Sequence, residues 1–129
     1  MLTIKGREYI ANAILGLNDI PFDFTNAMIG VGSSSIEAFE TQTDLLGTHK
    51  LRKGMDSGYP KISELDSSLM IFKATFENSE ANFAWEEWGV FNGDTANDVM
   101  LVREVEQVGI KETGTLWRFT VSIKFINNI

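Results

Sequence analysis

The sequence predicts a mainly β protein: an antiparallel β-sandwich or small barrel carrying one N-terminal α-helix. Three observations predict it. Helical periodicity occurs once, at the start, and beyond Pro21 the apolar residues alternate with period two instead. Polar or glycine-bearing reversals recur roughly every ten residues, too closely for the long crossovers that parallel strands need. A chain of 129 residues accommodates one domain, 1–129, with the helix over about 4–16 and a β-rich body over about 27–126.

Each element has its own signal. Tyr9, Ile10, Ala13, Ile14 and Leu17 fall on one apolar helix face. Thr3 is placed to cap the N-terminus, and Gly16 with Asn18 and Asp19 supplies the stop. Gly6 weakens the first turn. Ile20-Pro21 then forces an extended exit, because the residue before proline avoids the helical region. Ala27 to Val31 reads as a short buried strand and Gly32 to Ser35 as a turn. Ile36 to Leu46 is a long polar connection with room for a helical turn. Lys50 to Met55 is a second strand, ended by the breaker cluster Asp56 to Pro60. Met70, Phe72, Ala74 and Phe76 mark one face of the next strand; Phe83 to Phe91 and Val99 to Val108 follow. In the last strand Trp117, Phe119, Val121, Ile123 and Phe125 alternate with Arg118, Thr120, Ser122 and Lys124.

Composition excludes several function classes. The chain has 11 basic and 18 acidic residues, a formal charge of -7. An acidic surface repels phosphate, so neither nucleic acid nor an anionic membrane is an expected partner. With no cysteine there is no disulfide framework, zinc finger or thiolate nucleophile. The longest run of large apolar residues, Leu69 to Phe72, is far short of the ~20 a membrane span needs. Charges within Met1 to Glu8 occupy the stretch a signal peptide keeps apolar, so synthesis in the cytoplasm without an export address is expected.

Catalytic templates find little to fit. The single histidine, His49, has no serine in a strained G-x-S-x-G turn, and one histidine without thiols cannot make a zinc site. Glu86 and Glu87 are adjacent on a strand and therefore point to opposite faces, unlike a glycosidase pair. Glu104 and Glu106 share a face that reads as solvated. Asp94 to Asp98 lacks the EF-hand glycine and terminal glutamate and reads as a turn. Gly30 to Ser35 lacks the P-loop lysine, and the basic run Lys50 to Lys53 alternates across an exposed strand. The expectation is a non-enzyme with no cofactor and no metal.

The most informative segment is Phe83 to Phe91. Phe83, Trp85 and Phe91 have one strand parity, Trp88 and Val90 the other, so both faces carry large apolar groups. Either both faces are covered within the domain, or one packs on another subunit, where Trp and Phe are enriched. Phe83, Trp85, Trp88 and Phe91 are thus the candidate interface, with Gly89 as a candidate bulge.

Seven blocks then occur in a familiar order: 29–35 (Ile-Gly-Val-Gly-Ser-Ser-Ser), Thr43-Asp44-Leu45, 50–56 (Lys-Leu-Arg-Lys-Gly-Met-Asp), Tyr59-Pro60, 72–76 (Phe-Lys-Ala-Thr-Phe), 79–85 (Ser-Glu-Ala-Asn-Phe-Ala-Trp) and 87–92 (Glu-Trp-Gly-Val-Phe-Asn). In these the chain resembles a family of small bacteriophage virion proteins labelled tail fibre or tail-collar-like. The resemblance implies a structural protein of the virion, on the tail or capsid surface. It implies a homo-oligomer, a trimer first, that docks on other virion proteins and brings no catalytic residues. With no shaft repeats before Ile129, a collar piece, base, small tip or capsid decoration is implied rather than a whole fibre. At a tail tip, Trp85, Trp88 or Tyr59 would stack on a host surface glycan.

Overall fold

The computed structural model describes residues 1–17 and 20–126. The helix α1 runs Ile4–Ile14 and is followed by seven strands: β1 Met28–Gly32, β2 Lys50–Gly54, β3 Lys61–Ile62, β4 Leu69–Phe76, β5 Ala84–Phe91, β6 Met100–Ile110 and β7 Trp117–Lys124. They form two antiparallel sheets, ordered β2-β1-β5-β6 and β3-β4-β7. The sheets pack face to face as a sandwich and do not close into a barrel. Ile29, Val31, Trp85, Val90 and Val102 of the first meet Phe72, Ala74, Phe76, Val121 and Ile123 of the second in one buried cluster.

The helix begins as the sequence predicts. Thr3 is fully buried, its Oγ1 accepts from the Gly6 amide and donates to the Met100 carbonyl, and so one side chain caps α1 and ties it to β6. Gly6 is needed for this docking: a Cβ there would lie 2.6 Å from the Leu101 carbonyl oxygen. The predicted end at 16 is corrected to Ile14, with Leu15 and Gly16 forming the cap. Gly16, at φ +70°, donates to Ala13 and Leu17 to Asn12, the paired bonds of a glycine-ended helix. Asn18 and Asp19, the rest of the predicted stop, lie outside the described residues. Before the helix, Met1 to Thr3 run along the edge of β6, with Leu2 bridged to Val102.

The connection 33–49 holds no helical turn; only Phe39 to Gln42 reverse in a turn. Several of its backbone groups are taken by α1 and by side chains: the Glu40 carbonyl accepts from the Ile4 amide, and the Leu46 and Gly47 amides donate to Glu87. Strand β3 is a two-residue pairing with β4 that periodicity could not register. Gly89 is not a bulge, since it pairs regularly with Gly30 and Arg103. The register shifts fall instead between Trp85 and Glu87 and between Val90 and Phe91, with the extra residues on β6. Trp85 and Trp88 nevertheless both pack on the inter-sheet cluster, so simple alternation along β5 does not hold between them. In β7 the alternation holds, but Phe125 lies past the strand end and is half exposed.

Candidate functional site

Three places concentrate chemistry: the outer face of β5, the inner aromatic cluster, and the surface around α1. On the outer face Glu87 and Arg103, both 0% exposed, form an ion pair with Arg103 Nε 2.9 Å from Glu87 Oε1. The same oxygen accepts from the Leu46 amide at 2.9 Å, while Oε2 accepts from Gly47 at 2.7 Å and Ser34 at 3.1 Å. Gly32 and Gly47 leave room for the carboxylate, which a Cβ at either position would strike. Arg103 Nη1 donates to the Ile36 carbonyl at 2.9 Å and to Gln42 Oε1 at 3.1 Å. Nη2 is the one buried side-chain polar atom among the described residues with no partner.

The connection 33–49 is therefore a strap, buckled at both ends onto one ion pair and closed by Leu45, which packs with Phe91 and Met100. The Gly30 to Ser35 segment that invites a phosphate reading does offer a backbone donor to an anion, but the anion is the chain's own Glu87. Its four donors leave the carboxylate no open lone pair for proton transfer. Glu87 and Glu86 do point apart, and the face holding Glu87 is the covered one.

The four candidate interface residues divide. Trp85 and Phe91 are 0% exposed. Trp85 sits edge-on to Phe76, Trp117 and Phe119 at 4.8, 4.9 and 5.5 Å and donates through Nε1 to the Ala81 carbonyl. Phe91 is roofed by the Arg52 guanidinium 3.8 Å above its ring. Neither has surface to offer a second chain, which corrects the expectation for these two. Phe83 and Trp88 are half-buried; Phe83 stacks on the exposed His49 at 5.9 Å, and Trp88 Nε1 donates to Glu106 at 3.1 Å. Burial also removes Trp85 from any glycan platform, and Lys61 and Lys73 sit 5.2 and 5.5 Å from the Tyr59 ring.

The basic run of β2 finds partners within the chain. Lys50 and Arg52 both reach Asp44, and Lys53 Nζ grips both oxygens of Glu80 at 2.7 and 2.8 Å. The Lys53 ammonium, helped by the Glu77 amide, holds the Glu80 carboxyl below its ordinary 4.5. A carboxyl depressed in the fold contributes stability above its unfolded pKa and loses it as pH falls through the folded one. Glu80→Gln should therefore cost about 0.5–1 kcal/mol at neutral pH. The difference should vanish in acid as pH drops below 4.5, as parallel urea melts across pH would show. Asp94 to Asp98 is a turn, with Asp98 Oδ2 accepting from the Thr95 amide and hydroxyl.

Around α1 lies what periodicity misjudged. Of the predicted apolar face, Tyr9 and Ile10 are half-buried, but Ala13, Ile14 and Leu17 are exposed. Beside Tyr9 and Ile10 lies a mostly apolar groove of about 300 Å³, lined also by Phe22, Lys61, Ile62, Met70 and Phe125. Tyr9 packs edge-on against Phe22 at 4.9 Å and donates to the Ile20 carbonyl. Burial, then the nearby Asp23 charge, pushes its phenol above the ordinary 10.0, so this wall stays neutral. Among the described residues no group of three or more His, Asp or Glu is disposed to hold a metal ion, and no helix is long and apolar enough to cross a membrane. Compared with known proteins, the chain matches no family model, no curated protein and no solved structure.

Proposed function

We propose that this chain is a non-enzymatic structural component of a bacteriophage particle, of tail fibre or collar type, that acts by oligomeric assembly with itself and with other particle proteins. The observation that carries the reading is the uncovered apolar surface of α1 and its groove, which water penalises until a protein surface covers it. The seven sequence blocks that resemble tail fibre and collar-like proteins supply the context. The strap supports it as well, because a loop fixed by a buried ion pair holds a rigid outline on which neighbours can register. The acidic net charge keeps free subunits apart before assembly.

Capsid decoration is the alternative placement, and a tail-tip module that binds host glycan through Tyr59 or Trp88 is the alternative activity. The direct test is mass spectrometry of gradient-purified particles from a phage that encodes this chain. The reading predicts the chain in fixed stoichiometry with known particle proteins; absence from particles would overturn it. Immunogold labelling of the same particles separates tail from capsid.

A further inference from the structure

We propose that the open edge of β7 takes an added strand from a different polypeptide, an extended segment with a basic residue near its start and an acidic and a large apolar residue at its end. The two sheets have four edges, and three are closed to pairing. β3 is two residues long. β2 spends three of its five residues on Lys50, Arg52 and Lys53. Along the start of β6 lie Met1 to Thr3, and its pairing with β5 is irregular. β7 is different: all eight residues pair in regular register with β4, and among the described residues nothing bonds its other side. From Phe119 to Ile123 it carries no charge, proline or bulge, the devices that blunt an edge. A row of unpaired N–H and C=O groups is matched by an extended polypeptide; neither lipid nor glycan presents donors and acceptors at strand spacing.

The side chains along this edge select the segment. A hollow of about 340 Å³ at one end is lined by Val108, Leu116, Trp117 and Phe119, and takes a large apolar group. Another of about 480 Å³ at the other end is lined by Trp88, Glu106, Ser122 and Ile123. Leu116 to Ser122 is six residues, about 20 Å of strand, and an even step keeps both contacts on one face. In the second hollow the Met1 amine takes Glu104 and Asp66 takes Lys124, while Glu106 forms no ion pair among the described residues. That hollow therefore favours a cation. On the exposed face Arg118 has no partner among the described residues and favours an acid. An antiparallel segment thus places a basic residue opposite Ile123, an acidic one opposite Arg118 and an apolar one opposite Trp117. The β7 strand of a second copy fits less well, because its longest registers set Lys124 opposite or diagonal to Arg118.

The test titrates the full chain into a fluorescein-labelled peptide, Lys-Thr-Val-Thr-Val-Glu-Leu, followed by fluorescence anisotropy at low salt. The charge-swapped peptide Glu-Thr-Val-Thr-Val-Lys-Leu is run beside it. The first should bind saturably and the second at least roughly threefold more weakly. Arg118→Glu, at an exposed residue, should melt like the wild type and erase that preference. Arg118→Glu with Glu106→Lys should reverse it. Bound peptide should slow amide exchange along β7 and leave β3 unchanged. Absence of saturable binding, unchanged β7 exchange in the bound state, or a preference that survives both variants overturns the proposal. Exchange along β7 that slows as the chain alone is concentrated also overturns it, in favour of a second copy. Each result is read without particles, so the edge stands or falls apart from the assembly reading.

Discussion

Glu87→Gln should destabilise the fold by about 3–5 kcal/mol, the cost of breaking a buried ion pair from one side. Shape is nearly conserved, so the loss is electrostatic. Whichever way the amide settles, its NH₂ replaces an acceptor and faces two donors: Ser34 and Gly47 in one orientation, Leu46 and Arg103 in the other. Arg103, already carrying one unpartnered nitrogen, would then be a buried cation with no counter-charge. Thermal melts should drop by on the order of 10–20 °C. Amide exchange at Ser34, Leu46 and Gly47 should accelerate more than exchange in β4 and β7, since the strap is what comes undone. Glu86→Gln, one residue away on the other face, should change stability by less than about 0.5 kcal/mol. A Glu87→Gln protein as stable as the wild type would mean that the strap is held by Leu45 packing alone.

Trp85→Ala should cost a further class of energy, about 3–5 kcal/mol from lost burial and the cavity left among Phe76, Trp117 and Phe119. The Ala81 carbonyl would also lose its donor. Trp88→Ala, at a half-buried ring, should cost only about 1–2 kcal/mol. Denaturant melts of the two variants separate the readings of this segment. If Trp85 were an assembly residue, its loss would leave the monomer melt intact and weaken association; as a core residue, its loss shifts the melt first.

The class of fold was legible because alternation and turn spacing are local properties of a strand. The capping by Thr3, the six strands other than β3 and the alternation within β7 all follow from such signals. What was not legible depends on partners distant in sequence. Periodicity identifies an apolar helix face but not what covers it, so Ala13, Ile14 and Leu17 fit the face by spacing although they are exposed. Parity separates Trp85 from Trp88 only in a regularly paired strand, and the pairing of β5 with β6 is irregular between Trp85 and Glu87. Glu87 and Arg103 were hidden because their partnership spans two strands and a strap. A signal existed: Arg103 continues the apolar run Met100 to Val102, and Glu87 lies between two tryptophans, where a charge is costly unless paired. Gly6 was read as a weakness in the helix, whereas the close approach of β6 requires it.

The central claim is that the chain works by assembly through the face around α1. A cryo-EM reconstruction of intact particles that encode it tests this most directly. The account predicts the sandwich at a repeated position on the particle, with the groove beside α1 buried against another particle protein. Density in which that face looks into solvent, or particles without the chain, would contradict it.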